Sequence, residues 1–410
     1  RQRQMCIRDR YTTYNPWTIA GYEYALGSIS AINGKGPWTD GMLASGIYVA
    51  PDGTLVLKLY YVAKNLTLTY DPGSHGTISA GGNGGTDPGI SADVTHRADH
   101  TFKLPAAADG EKLTVSRPGY VLKGWTTIAR YGVDADGNIV SADDPTAVTV
   151  KNIADALGAE AEAVIAWLGT LGTDPSGRPL YYLNGATYLM PVTDKTLYAV
   201  WTPRSDIVYY VEHWLITGDG TFSPLNPDGT VRRDSNGALI TGTPNTSADA
   251  SDTTNAAWRV TYNNGKSDVV FDLDTIGGYM RTIAGYTYLL NNASFTIEGA
   301  TGTTYAVKTI SADGKTVFYL FYRANENTIR FETGSLGTIT GGTLDATENT
   351  NFITQKHYTD DSFDLSTVPA PTRPGYDFLG WTIADKKGTD PVNDAMGYTA
   401  QQIVTWLEGQ

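Results

Sequence analysis

RPGYVLKGWT at residues 117–126 returns as RPGYDFLGWT at residues 373–382. In the first copy Pro118 fixes φ and biases Arg117 toward extended backbone. Gly119 can take a positive φ, so the Pro-Gly pair turns the chain into a strand. Val121 and Lys123 then face one side, Tyr120 and Leu122 the other, and Gly124 marks a bulge before Trp125. Core packing is the ordinary reading of such a tryptophan. The functional reading is a sugar-stacking platform, for which Trp125, Trp381 and Trp214 are the aromatic candidates.

Other stretches recur in the same order. TIAGYEYAL from Thr18 returns as TIAGYTYLL from Thr282, and DGTLVLKLYYVAKN from Asp52 as DGKTVFYLFYRANEN from Asp313. DALGAEAEAVIAWL from Asp155 returns as DAMGYTAQQIVTWL from Asp394. The period is too long for a solenoid, so the chain reads as two kinds of module, each present twice. They are A1 (11–64), B1 (65–203), A2 (204–326) and B2 (327–410). A1 and B2 each lack stretches that A2 and B1 contain, so A2 and B1 are the two complete copies and the sequence reads as a fragment.

Within B1, TLYAVW alternates Leu197, Ala199 and Trp201 against Tyr198 and Val200, as in a strand buried on both faces. Leu157, Ala161, Val164, Ile165 and Leu168 form one apolar helical stripe, and Met396, Ala400, Ile403, Val404 and Leu407 repeat it. Gly158 and Gly397 interrupt that pattern at a cost of about 1 kcal/mol each in a helix interior. Thr399 and Gln402 form a capping-box pattern, which predicts that the regular helix starts after the glycine. In A2, VYYVEHWLI from Val208 and TVFYLFYRA from Thr316 read as strands, NPDG and DSNG as hairpin turns, and residues 241–257 as an exposed loop.

Composition agrees with a β-rich α+β chain: 45 glycines accompany 41% hydrophobic and 11% aromatic residues among 410, which favours short strands joined by tight turns. The net charge of −13 argues against nucleic acid and against an anionic membrane surface. No apolar run approaches the ~18 residues of a membrane-spanning helix. The first ten residues, RQRQMCIRDR, carry four arginines and the single cysteine, and they do not fit the middle of an A module. MCIRDR matches the translation of a transposon end used in sequencing libraries, so residues 1–10 are read as a translated adapter.

RPGYxxxGW with a closing TLYAVW resembles the internalin-type B-repeat, or Listeria-Bacteroides repeat, of bacterial surface proteins. B1 matches both ends of that pattern around a helical insertion, and B2 matches the first. VYYVEHWLITGDGTF resembles the opening of mucin-binding-protein (MucBP-like) repeats. The resemblance implies tandem small ubiquitin-like (β-grasp) modules in an elongated array. It also implies an extracellular, cell-wall protein of a Gram-positive organism, with host mucin, glycan or extracellular protein as possible partners. Neither family supplies a catalytic residue.

The chemistry-bearing candidates point the same way. GGNGG at 81–85 lacks the Lys-Ser/Thr of a phosphate loop. His96 and His100, with Asp93 and Asp99 nearby, lack a helical context for metal binding. DADGN from Asp134 has its glycine too early for a calcium loop. No cofactor and no catalytic residue is expected. A non-enzymatic stalk or spacer in adhesion is the leading expectation. Direct mucin or glycan binding is the alternative, and an accessory region of a polysaccharide-acting enzyme is the remote one.

Overall fold

The computed structural model describes residues 10–11, 17–24, 47–48, 61–80, 83–84, 88–105, 113–246, 249–290, 296–297, 300–301, 305–340, 351–383, 386–387, 390–391 and 398–408. The adapter reading of residues 1–10 thus falls outside them except at Arg10. Two compact units divide the chain. One holds Arg1–Ile207, Lys266–Val269 and Ser311–Asp313; the other holds Val208–Gly265, Val270–Ile310 and Gly314–Gln410. The described residues are strand-rich with few helices.

In the first unit, five strands form one sheet in the order Tyr181–Leu183, Tyr120–Thr126, Lys195–Pro203, Asn65–Asp71, Ala92–Arg97. Asn65–Asp71 and Lys195–Pro203, the first and last of these in sequence, are parallel neighbours at the centre. Tyr120–Thr126 runs antiparallel to Lys195–Pro203. Its register slips between Leu122 and Gly124, the bulge expected at that glycine. Trp125, Tyr70, Leu197 and Ala199 are buried, and the Trp125 and Tyr70 rings meet edge to face at 4.9 Å. Rings of this size dominate core energetics, and the edge-to-face geometry suits their quadrupoles. Val200 and Trp201 are buried as well, so the closing strand is covered on both faces.

The helix Gly158–Thr170 packs against that closing strand through Ala161, Val164 and Leu168. Leu157 does not belong to the stripe. It stands at the N-cap in an extended conformation and is exposed. Gly158 is the first helical residue, with φ +48, and a Cβ there would lie 2.3 Å from the carbonyl oxygen of Asp268. Close backbone approach, together with a left-handed φ, explains a glycine that helix propensity disfavours. The inserted stretch between the GW motif and the helix folds as a three-stranded antiparallel sheet in the order Ile139–Ser141, Arg130–Val133, Thr149–Asn152, with its first strand in the middle.

In the second unit, Ile207–Ile216 and Val317–Ala324 are again parallel neighbours, flanked by Phe222–Pro224 and Tyr286–Tyr288. Val260–Gly265 also pairs with Ile207–Ile216. Residues 317–322 are buried without a break, because both faces of the strand are covered. Residues 241–257 are not simply exposed. Gly242 lies against the Trp214 ring, and Trp258 meets that ring edge to face at 5.4 Å. The polar stretch is laid over a tryptophan, so its composition hides its packing role. Further along, Glu326–Glu332 and Phe352–Tyr358 form an antiparallel hairpin over a small core of Phe331, Ile339, Ile353 and Val368. The helix Tyr398–Glu408 begins one residue after Gly397. Met396, Ala400 and Ile403 lie outside the described side chains.

Candidate functional site

The three tryptophans proposed as platforms have different surroundings. Trp125 and Trp214 are 0% exposed. Neither ring offers a face to a ligand, which corrects the platform reading at both positions: the alternation that made each a strand residue also turns it inward. Trp381 is half-buried. Its ring lies 5.1 Å from that of Phe331 below and 5.1 Å from that of Phe378. Around it, Tyr376 is 42% exposed, Phe378 42% and Leu379 77%. Residues 376–383 therefore carry the densest exposed aromatic and aliphatic surface among the described residues, with Arg373 placed over the Tyr376 ring at 4.4 Å. Such a surface stacks flat apolar faces, those of sugars included.

A second polar constellation is internal, and the sequence reading missed it. Glu212 is fully buried, accepting from Arg259 Nε at 2.9 Å and from Trp214 Nε1 at 3.1 Å. Burial pushes the Glu212 carboxyl upward, while the arginine and the indole pull it back. On the other face of the strand, His213 Nδ1 lies 2.9 Å from Tyr322 Oη, which also accepts from the Arg281 N–H. Burial, helped by Arg281, pushes the imidazole down to about 3, so it is neutral at ordinary pH. Lys308 donates to the Val317 carbonyl at 2.7 Å and is lowered to about 8 by burial. Glu212, His213, Arg259 and Tyr322 are buried, and these groups tie the VEHW strand to its neighbours. The signal in the sequence was a Glu-His pair inside an otherwise apolar strand, since buried charge demands a partner.

The other motifs resolve locally. His96 stacks on Phe102 with ring centroids 3.8 Å apart, and His100 leans toward the same ring at 5.7 Å. Asp134 accepts from the backbone N–H groups of Asp136 and Asn138 and from the Asn138 side chain, which closes a hairpin turn around Gly137. Those bonds hold its carboxyl below the usual range. No group of three or more metal-ligating side chains occurs among the described residues, and no helix among them is long and apolar enough to cross a membrane.

The aromatic segment lies within the part of the chain that is similar to a known family. Residues 328–405 match the family model of the Listeria-Bacteroides repeat domain. The match includes RPGYDFLGWT, and the first copy of that motif lies outside it. Repeats of that family typically belong to non-catalytic regions of bacterial surface proteins. No curated protein and no solved structure matches the chain.

Proposed function

We propose that the chain is a stalk or spacer segment of a bacterial adhesin. It is extracellular and attached to a Gram-positive cell wall, with β-grasp B-repeat modules alternating with MucBP-like modules. The supporting observation is the match of residues 328–405 to the Listeria-Bacteroides repeat, whose RPGY and GW residues recur in B1. The parallel pairing of first and last strands, seen in B1 and again in A2, suits the β-grasp assignment. In A2 the buried Glu212, Arg259 and His213 are engaged in contacts within the module, which suits a spacer. The test is a binding assay of the whole chain on immobilised mucin, glycan arrays and extracellular-matrix proteins. A spacer shows no saturable retention on any of them, and saturable binding by the chain overturns the role.

One observation favours a second reading, in which B2 binds glycan directly: Tyr376, Phe378 and Trp381 form an exposed aromatic surface. In that case retention is saturable and is lost in Trp381→Ala and Phe378→Ala.

A further inference from the structure

The stretch TIAGY recurs without contributing to any core described above, and both copies do the same thing. The strand Tyr61–Ala63 ends one residue before Asn65–Asp71 begins, and Val317–Ala324 ends one residue before Glu326–Glu332. The single connecting residue, Lys64 or Asn325, is held on both sides. Lys64 N–H donates to the Gly21 carbonyl at 2.8 Å, and its own carbonyl accepts from Ala98 N–H at 3.0 Å. Asn325 N–H donates to the Gly285 carbonyl at 2.8 Å, and its carbonyl accepts from Thr359 N–H at 2.9 Å. The neighbouring tyrosine then closes the contact. Tyr22 Oη donates to Asp99 at 3.0 Å, and Tyr286 Oη to Asp360 at 2.9 Å.

We propose that the Gly-Tyr step of TIAGY is a docking surface of the A module, and that its partner, in the B module that follows, is the turn just after the strand that pairs with that module's first strand. Three features support this assignment. The turns at the ends of these strands, RADH at 97–100 and YTDD at 358–361, share only the aspartate, yet Asp99 and Asp360 both hold a left-handed backbone, with φ of 59 and 64. The same contact is therefore built on dissimilar loops, which local sequence copying does not explain. The glycines are needed twice over. Gly21 and Gly285 have φ of +79 and +78, and a Cβ would lie 2.7 Å from Val192 at the first and 2.5 Å from Thr359 at the second. Finally, each contact falls inside one compact unit. At the second joint Asp360 also takes Arg233 Nη2 at 2.8 Å, so one aspartate receives both a phenol and a guanidinium.

The repeating body is then an A–B pair fixed at a one-residue joint. This assignment is independent of where the protein is displayed, so it stands or falls apart from the surface-protein reading. The test uses the full chain with Cys6→Ser, spin-labelled at Ser251→Cys in A2 and Lys356→Cys in B2, with the interspin distance measured by pulsed electron resonance. The expected result is one narrow distance peak. It broadens in Gly285→Val and in the Tyr286→Phe, Asp360→Ala double variant, while far-ultraviolet circular dichroism stays unchanged. A broad distribution in the starting chain overturns the proposal. So does a narrow peak that persists in the double variant, whose substitutions leave the glycine backbone intact and give a reading even where Gly285→Val fails to fold.

Discussion

The two RPGY motifs share six of nine residues through the tryptophan and end in different structures. In the first, Tyr120–Thr126 is a strand between two antiparallel neighbours, Tyr120 is 6% exposed, and Trp125 is sealed in. In the second, the Arg373–Tyr376 turn forms, but residues 377–382 make no strand, and Tyr376 is 42% exposed. The turn is local chemistry, set by Pro and Gly, and survives on its own. The strand is not local: its N–H and C=O groups need partners, and residues 377–382 have no flanking strand among the described residues.

That contrast can be broken by substitution. The largest effect is expected at the tryptophans: Trp125→Ala should cost about 3–5 kcal/mol, as deletion of a sealed aromatic does. Trp381→Ala should cost clearly less, because its side chain is only half-buried. Hydrogen exchange at amides near each site reads the two separately, and equal losses would remove the distinction.

Next come the glycines of the turns. Gly119 and Gly375 have φ of +72 and +78, so alanine at either pays a left-handed penalty of about 1–2 kcal/mol. Only at Gly119 is the space taken: a Cβ would lie 2.5 Å from Ser267 Oγ and 2.6 Å from Ala312 Cβ, whereas Gly375 faces open space. Gly119→Ala should therefore destabilise more than Gly375→Ala in thermal unfolding. Matching shifts would mean that backbone strain alone governs both.

An effect of similar size concerns Tyr120, whose hydroxyl donates to Asp268 at 2.6 Å and accepts from the Gly158 N–H at 2.9 Å. Tyr120→Phe leaves that buried N–H without its acceptor, at a cost of about 1–3 kcal/mol. Burial, then the bond to Asp268, pushes the phenol up to about 12. A raised folded value favours the protonated form, so its stabilising share is complete below the ordinary value near 10 and is lost as pH rises through 12. Denaturant midpoints recorded between pH 9 and 12 should fall more steeply in the parent than in Tyr120→Phe. Parallel curves would contradict this linkage.

The same contrast explains what could be read in advance. The Pro-Gly turn, the bulge at Gly124 and the doubly buried closing strand follow from neighbours along the chain, so alternation and turn chemistry revealed them. Gly158 makes sense only against Asp268, and Glu212 only against Arg259, partners far away in sequence. Trp214 looked available because the stretch that covers it is made of small polar residues. TIAGY served only as a marker of repetition, because its work is done by a backbone carbonyl and one hydroxyl, groups that no hydrophobic pattern registers.

The central strand pairs have a consequence under load. Asn65–Asp71 with Lys195–Pro203, and Ile207–Ile216 with Val317–Ala324, are parallel neighbours that open and close their modules. Tension entering one and leaving the other drags them in opposite directions along their length. Their ladder bonds are then sheared together and cannot be unzipped one at a time. A chain built this way resists pulling through the number of bonds that must fail at once, and a one-residue joint leaves almost no slack to absorb the pull first.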